Sequence, residues 1–256
     1  MSNLVLTETF LAVQGEGMFT GTPSFFLRTA GCSVKCPACD TIYSWAKERP
    51  EGLASGQYVR VPSEDIVIRI VESALKYVVV TGGEPAEQAD EMLDVLSHEA
   101  LRGRYFTIET SGNVEFDPVP YTLLSISPKM TGMMRRDLPL DRYDHLRGMI
   151  DSSFKAGRLV QLKYVVKDER DYFEAKDLTL RVVPEQWRSR IHIVFQPNND
   201  AYRDGISQGE NLANYCQNLK ALSSMFIQDQ CAGGTWDRFP HTRLMVQQHW
   251  LSHGME

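Results

Sequence analysis

The sequence predicts an α/β protein folded as a partial or modified (β/α) barrel of the TIM type. Segments rich in β-branched and aromatic residues, which are typical of strands, alternate with segments of helical hydrophobic periodicity. This alternation predicts a parallel sheet whose strands are joined by crossover helices. At 256 residues we expect a single domain over 1–256. A doubly wound open sheet is the alternative fold.

The first half of the chain has the most sharply bounded elements. Residues 3–12 and 24–29 are predicted strands because of their aromatic and β-branched content. A helix is predicted to begin at Ser63, because two acidic residues follow where carboxylates stabilise a helix N-terminus and apolar residues then recur at helical spacing. The β-branched run 77–80 predicts a strand that stops at a Thr-Gly-Gly stretch.

The second half continues the alternation. The further predicted strands are 105–109, 123–126, 159–166 and 191–195, with a short last strand at 244–247. The further predicted helices are 86–99, 140–155 and 210–222. Residues 226–246 contain a Gly-Gly pair and a proline, and we expect them to be mostly loop.

Polar, mostly glycine- or proline-containing stretches follow five of the predicted strands. They are Gln14-Gly15-Glu16-Gly17, Thr81-Gly82-Gly83-Glu84-Pro85, Glu109-Thr110-Ser111-Gly112, Ser127-Pro128-Lys129 and Gln196-Pro197-Asn198. Both candidate folds bind ligands at the carboxyl ends of their strands. We therefore expect these stretches to contribute to one composite site.

Composition and charge disfavour several classes of function. The formal net charge of -6 disfavours a broad surface for nucleic acid. No apolar run approaches the ~20 residues that a membrane-spanning helix needs, and the N-terminus lacks the pattern of a signal peptide. We expect a cytoplasmic protein, without nucleic-acid or membrane partners, whose thiols stay reduced.

Three of the five cysteines, Cys32, Cys36 and Cys39, fall within eight residues. An odd and unevenly spaced set disfavours a disulfide framework, so this loop is predicted to bind metal. Three thiolates leave one coordination position unfilled, as in a catalytic zinc site or a cubic iron–sulfur cluster with one free iron. Cys216 and Cys231 are expected to be buried, small apolar side chains.

The spacing C-x3-C-x2-C after a strand, with Gly82-Gly83-Glu84-Pro85 at a later strand end, resembles the radical S-adenosylmethionine superfamily. The resemblance implies a [4Fe–4S] cluster whose free iron binds S-adenosylmethionine, which is cleaved to a 5′-deoxyadenosyl radical. It also implies the barrel of the radical S-adenosylmethionine type. One position departs from the superfamily: Ala38 precedes the third cysteine, where a bulky residue is usual.

Further stretches narrow the resemblance and extend it over nearly the whole chain. They are VQGEGMFTGTPSFFLRTAGC, CDT, TGGEP, ETSG, SISPK, QLKYVV, QPN and VQQHW. Together they resemble the 7-carboxy-7-deazaguanine synthases of the queuosine precursor pathway. That family implies a radical lyase that uses Mg2+ and converts 6-carboxy-5,6,7,8-tetrahydropterin to 7-carboxy-7-deazaguanine with loss of ammonia. It also implies a homodimer and an electron donor such as flavodoxin or ferredoxin.

The resemblance assigns roles to individual residues. Cys32, Cys36 and Cys39 match the cluster ligands, and Thr41 matches a ligand of Mg2+. The positions that match substrate contacts are Val13, Gln14, Gly15, Glu16, Arg28, Thr81, Glu109 and His249. The positions that match contacts of S-adenosylmethionine are Ala38, Cys39, Asp40, Gly83, Glu84, Ser127, Pro128, Lys129, Gln196, Pro197, Asn198 and Asn199. The chain has extra length near 46–58 and 168–190, where insertions are possible.

These residue types suit a pterin. Glu16 can accept hydrogen bonds from adjacent N–H donors, Gln14 can donate and accept, and Arg28 can bind a carboxylate through two bonds. Apart from the resemblance, each has an ordinary structural interpretation. Arg28 would form a surface ion pair, and Thr41 would cap the start of a helix.

Two other functions remain open on the sequence. One is a different radical S-adenosylmethionine enzyme, such as an activase of glycyl-radical enzymes, which acts on a protein loop. The other is a non-catalytic iron–sulfur protein with three cysteine ligands. The stretch Gln14-Gly15-Glu16-Gly17 together with Thr41 favours a small pterin substrate over the protein loop on which an activase acts. Binding of S-adenosylmethionine would distinguish a radical enzyme from a non-catalytic iron–sulfur protein.

Overall fold

The structure, a computed structural model, describes residues 2–46, 58–116, 120–134, 136–137, 139–198 and 208–247. These residues form a mixed α/β fold in which most of the strand pairs are parallel. The chain divides into two compact units. Unit 1 comprises Met1–Gln14, Gly21–Lys35 and Thr41–Ser125, and unit 2 comprises Gly15–Thr20, Cys36–Asp40 and Ile126–Glu256.

Unit 1 contains the first six strands. They are β1 (Asn3–Val13), β2 (Pro23–Thr29), β3 (Val59–Pro62), β4 (Tyr77–Gly82), β5 (Tyr105–Thr110) and β6 (Leu123–Ile126). Their order is β3-β1-β2-β4-β5-β6. The pairs β2–β4 and β4–β5 are parallel, as predicted, whereas β1 is antiparallel to both β2 and β3. The short connection from β1 to β2 has no room for the crossover helix that a parallel pair requires.

The first helix, α1 (Ser63–Glu72), begins where the sequence predicts. Glu64 and Asp65 lie in its first turn, where they interact favourably with the helix dipole. Its inner face buries Ile66 and Ile70, each with no exposed surface. Burial of such a side chain contributes about 1.5–3 kcal/mol of stability. The two buried isoleucines therefore stabilise the packing of α1 within unit 1.

The helix predicted over 86–99 is shorter and divided. A 3-10 turn covers Pro85–Gln88, and the second helix, α2, covers Ala89–Leu96. The separate 3-10 turn has its own start signals. Pro85 occupies its first turn, and the Glu84 side chain caps it by accepting a hydrogen bond from the Ala86 N–H.

Unit 2 contains three parallel strands and four helices within its described residues. The strands are β7 (Leu159–Val166), β8 (His192–Pro197) and β9 (Thr242–Leu244). The helices are α3 (Thr131–Met134), α4 (Leu146–Lys155), α5 (Glu169–Val182) and α6 (Gln208–Cys231). The predicted strand at 244–247 begins two residues earlier and ends at Leu244, and α6 extends beyond the predicted 210–222. Cys216 and Cys231 are exposed on α6, so the prediction that they are buried was wrong.

Helix α5 was not predicted, although the sequence contains the signal for it. Asp168 caps the helix, and its side chain accepts a hydrogen bond from the Asp171 N–H at 3.1 Å. Tyr172, Ala175 and Leu178 then recur at helical spacing and are buried. This helix occupies much of the predicted extra segment 168–190.

An aromatic cluster forms part of the core of unit 2. The rings of Tyr172 on α5 and Trp236 lie 5.2 and 5.0 Å from the ring of Phe195 on β8. The Trp236 Nε1–H donates to the Tyr172 hydroxyl at 2.7 Å, which satisfies a buried polar group. None of the helices in the described part of the chain is long and apolar enough to cross a membrane.

Candidate functional site

Three predicted substrate contacts meet at the strand ends of unit 1. Gln14 follows β1, Thr81 lies near the end of β4, and Glu109 lies near the end of β5. The Glu109 carboxylate accepts from Gln14 Nε2 at 3.0 Å and from Thr81 Oγ1 at 2.9 Å. Val13, also a predicted contact, lies beside Gln14 and is exposed. The cluster therefore presents an acceptor carboxylate held between an amide and a hydroxyl.

Arg28 forms the ion pair that its residue type alone suggests. Its Nε donates to Glu8 Oε1 at 2.8 Å, across the β1–β2 pair in which these residues lie opposite each other. The guanidinium carbon lies 5.3 Å from the ring centre of Phe10, and the Tyr43 hydroxyl also donates to Glu8. These contacts hold the Arg28 side chain in one direction. Its contact with a substrate stays a prediction.

The pair Gly82-Gly83 at the end of β4 permits a close approach between backbones. The Gly83 N–H donates to the Thr29 carbonyl at 2.9 Å, and the Glu84 N–H donates to the Gly31 carbonyl at 2.8 Å. A Cβ added to Gly83 would overlap the Gly31 carbonyl. Only glycine fits here, because the turn lies directly against the segment that leads into Cys32.

Glu84 is buried, and the hydrogen bonds of its carboxylate go to its own unit. It accepts from the Thr110 hydroxyl at 2.6 Å, from the Ser111 N–H at 2.8 Å, from the Ser111 hydroxyl and from the Ala86 N–H at 3.1 Å. Glu84 thus joins the end of β4 to the end of β5. Thr110 and Ser111 were given no individual role from the sequence, although the stretch that contains them was expected to contribute to the composite site.

Burial raises the pKa of the Cys32 thiol. The backbone N–H groups of Lys35 and Val34 lower that pKa, and the carboxylates of Glu84 and Glu87 raise it. The Glu87 carboxylate also accepts from the Ser33 N–H at 2.7 Å, so this acidic side chain borders the cysteine loop.

Thr41 begins the 3-10 turn Ile42–Ser44 but does not cap it with its side chain. The contact is made by its backbone instead, because the Thr41 carbonyl accepts from the Ser44 N–H at 2.8 Å and from the Ser44 hydroxyl at 2.7 Å. Helix capping therefore does not explain a hydroxyl at this position.

In unit 2, the predicted substrate contact Glu16 is held by two side chains. Its Oε1 accepts from Gln247 Nε2 at 2.7 Å, and its Oε2 pairs with Lys163 on β7. Gly15, the preceding predicted contact, is buried. Lys163 and Gln247 were not named as site residues from the sequence, although the stretches that contain them contributed to the family resemblance.

The other two cysteines of the loop lie in unit 2. Cys36 is buried, Cys39 is half-buried, and the Cys39 N–H donates to the Cys36 carbonyl at 3.1 Å. Ala38 is half-buried and Asp40 is exposed. None of the five cysteines forms a disulfide, which suits a thiolate ligand set for an iron–sulfur cluster. Within the described residues, no three His, Cys, Asp or Glu side chains converge as a preformed metal site.

The predicted cofactor stretch after β6 is held by hydrogen bonds within unit 2. Lys129 Nζ donates to the Ser127 hydroxyl at 3.2 Å, and the Lys129 N–H donates to the Tyr143 hydroxyl at 2.7 Å. Burial raises the pKa of Tyr143 to about 12, so this hydroxyl stays protonated. Arg142 donates to the Lys129 carbonyl at 2.5 Å. Pro128, which lies between Ser127 and Lys129 in the chain, is buried.

The stretch at the end of β8 contains an unusual polar side chain. Gln196 is fully buried, and within the described structure neither its Nε2 nor its Oε1 has a hydrogen-bond partner. Its neighbours Pro197 and Asn198 are also buried, and the Asn198 N–H donates to the Val166 carbonyl at 2.8 Å. Buried polar groups are almost always paired. The Gln196 amide therefore fits a ligand with its own donor and acceptor groups, as an adenosine has.

The unpaired amide has a consequence for stability. We expect Gln196→Met to raise the free energy of unfolding by about 1 kcal/mol, because it removes an unsatisfied buried polar group without removing a hydrogen bond. Urea unfolding measures this change. Gln161→Met is the matched control, because Gln161 is equally buried but its Oε1 accepts from the Met18 N–H at 2.9 Å. The control variant should be destabilised, and equal destabilisation of both would contradict the expectation.

Two of the predicted contacts, His249 and Asn199, lie outside the described residues, as does most of the segment 46–58.

Comparison with known proteins agrees with the predicted cluster chemistry. Residues 13–112 match the family model described as a 4Fe-4S single cluster domain. This range contains the three clustered cysteines, the glycine pair at the end of β4 and the Gln14–Glu109–Thr81 cluster.

Curated relatives of the chain have a common name. A 7-carboxy-7-deazaguanine synthase of Rhodopirellula baltica is 42% identical over 148 residues, which are 57% of this chain and 51% of the relative. A protein of the same name from Halobacterium salinarum is 31% identical over 195 residues, which are 70% of each chain. The match spans about half the length of several of these relatives.

A solved structure shows the same fold. The crystal structure of QueE from Escherichia coli superposes with a TM-score of 0.62 over 96% of this chain and 95% of that chain, at 24% identity. This similarity confirms the predicted α/β fold.

Proposed function

The chain belongs to the family of 7-carboxy-7-deazaguanine synthases, and from that premise we propose that it converts 6-carboxy-5,6,7,8-tetrahydropterin to 7-carboxy-7-deazaguanine with release of ammonia. The observation that carries this proposal is the Gln14–Glu109–Thr81 cluster, in which polar side chains from three strand ends share one carboxylate. Its donors and acceptors match the heteroatoms of a pterin.

The cofactors of this reaction would be held by residues on strand ends and loops. Cys32, Cys36 and Cys39 would hold the [4Fe–4S] cluster. With S-adenosylmethionine bound, the cluster would supply the one electron that cleaves this cofactor reductively, and hydrogen-atom abstraction from the substrate would follow from that cleavage. Gln196 would donate to and accept from the adenosine, which gives its buried amide the partners that it lacks. The other cofactor contacts in this proposal are Ala38, Asp40, Gly83, Glu84, Ser127, Pro128, Lys129, Pro197, Asn198 and Asn199.

Substrate recognition would follow from charge and hydrogen bonding. Glu16 would accept from the N–H donors of the pterin ring, and Arg28 would bind its carboxylate. The other substrate contacts in this proposal are Val13, Gly15 and His249. We also propose that residues 1–256 act as one radical S-adenosylmethionine domain, that the cytoplasmic enzyme is a homodimer, and that a flavodoxin or ferredoxin supplies the electron.

Anaerobic turnover tests the function. Protein with a reconstituted cluster is incubated with the carboxy-tetrahydropterin, S-adenosylmethionine, Mg2+ and dithionite, and the deazaguanine product is followed by its absorbance and mass. Cleavage of the cofactor without product would favour an activase or another radical enzyme. A reduced-cluster EPR signal that S-adenosylmethionine does not change would favour a non-catalytic iron–sulfur protein.

The proposed Mg2+ ligand gives a separate prediction. We expect Thr41→Ala to keep measurable cleavage of S-adenosylmethionine but to need about tenfold more Mg2+ for half-maximal product formation, because the ion loses an oxygen ligand. Titration of Mg2+ against the rate of product formation measures this. Thr41→Ser retains a hydroxyl and should keep the normal response. A normal Mg2+ response in Thr41→Ala would refute the assigned role.

A further inference from the structure

Strand β7 holds the segment after β1 through two side chains on one face. Gln161 and Lys163 are two residues apart, so they project from the same side of the strand. Gln161 accepts from the Met18 N–H at 2.9 Å, and a Cβ added to Gly17 would overlap the Gln161 amide. Lys163 pairs with Glu16. The two β7 side chains thus set the path of this segment and the direction of its acidic side chain.

The Lys163–Glu16 ion pair is largely removed from water. The side chains are 11% and 12% exposed, respectively. Breaking such a pair leaves a buried charge without its partner, which is strongly unfavourable.

Both oxygens of Glu16 are anchored. Lys163 contacts Oε2, and Gln247 Nε2 donates to Oε1 at 2.7 Å. The backbone N–H of Gln247 donates in turn to the Tyr215 hydroxyl at 2.9 Å. One anchor on each oxygen fixes the plane of the carboxylate, so a ligand meets it in a preset orientation.

We propose that Lys163, acting through Glu16, is a positioning residue that sets the specificity of the site for a 2-amino-4-oxopyrimidine edge. This inference rests on the proposed function, in which Glu16 accepts from the pterin ring. An ionised carboxylate in a fixed plane accepts from the amino group and ring N–H of such an edge. A 2-oxo analogue places a carbonyl oxygen where the amino group should donate, and sites built for hydrogen bonding reject such analogues strongly.

The test is equilibrium binding to the reconstituted enzyme with S-adenosylmethionine. The probes are 6-carboxypterin and 6-carboxylumazine, which carries a 2-oxo group in place of the 2-amino group. We expect the wild-type enzyme to prefer the pterin. Lys163→Gln should weaken pterin binding by roughly thirtyfold or more, the loss expected when one partner of a desolvated charge pair is removed. Lys163→Gln should weaken lumazine binding much less. Lys163→Arg keeps a positive charge and should retain most of the wild-type preference for the pterin over the lumazine.

A double-mutant cycle separates positioning from a general structural role. If Lys163 acts through Glu16, then Lys163→Gln in a Glu16→Gln background should change pterin affinity by no more than about twofold. The double variant buries no unpaired charge, so it should fold even if Lys163→Gln does not. Lys155→Gln is the matched control, because Lys155 is an exposed lysine paired with Asp151.

Two results would overturn the inference. One is additive effects in the cycle, and the other is an equal loss of affinity for both probes, since each would mean that Lys163 does not act through the Glu16 carboxylate. If the wild-type enzyme bound neither probe, the proposed function itself would fail and the inference with it. Pterin binding by the wild type with no effect of Lys163→Gln would refute the inference alone.

Discussion

Replacement of Cys36 by alanine is expected to reduce product formation below detection while the chain remains folded. A cluster that has lost one of its three thiolate ligands is not held stably, and without it neither cofactor cleavage nor turnover can occur. Cys36 lies in the loop 36–40, outside the helices and strands, so its loss removes only a small buried side chain. Iron and sulfide content, the EPR signal of the reduced cluster and product yield measure the effect.

The control for this prediction is another cysteine of the same chain. Cys216 is exposed on α6, so Cys216→Ala should keep its iron content and its activity. Circular dichroism and the unfolding midpoint should be close to wild type in both variants. A Cys36→Ala protein that retained its cluster and formed product would show that the ligand set is wrong.

Replacement of Gly83 by alanine is expected to have the next largest effect, because the added Cβ meets backbone. It would overlap the Gly31 carbonyl, which accepts from the Glu84 N–H, so the end of β4 would have to move away from the segment before Cys32. Overpacking of this kind costs about 1–3 kcal/mol of folding free energy. A shift of about 1 Å at reacting groups can slow a reaction about 100-fold. We therefore expect slower cleavage of S-adenosylmethionine as well as lower stability.

Gly148 provides the matched control for Gly83→Ala. It lies within α4, its φ is not in the left-handed region, and a Cβ there would meet nothing within 4 Å. Gly148→Ala should be stabilised by up to about 1 kcal/mol, because alanine favours the helix, with no change in cleavage rate. Wild-type cleavage kinetics in Gly83→Ala would mean that the close contact at Gly31 has no role in placing the cofactor.

Much of the candidate site followed from local sequence patterns. The cysteine spacing is a local property, as are the glycine pair at the end of β4 and the polar stretches at five strand ends. Strand ends could be located because β-branched runs stop at glycine and proline. The fold class then predicted that Gln14, Thr81 and Glu109 would meet, although Gln14 and Glu109 lie 95 residues apart.

Other features depended on strand pairing that no local pattern encodes. The antiparallel pairing of β1 with β3, and the three hydrogen bonds that join Glu84 to Thr110 and Ser111 at the end of β5, follow from which strands are neighbours and in which register.

The sequence by itself determined the chemistry that this protein has available: three thiols in one loop, and carboxylates and amides at strand ends. The tertiary structure decided which of these side chains are bound to each other. Lys163 and Gln247 reach Glu16 from 147 and 231 residues away. A slip of one residue in the register of a strand turns each side chain to the opposite face, so such long-range pairs exist only once the sheet has formed.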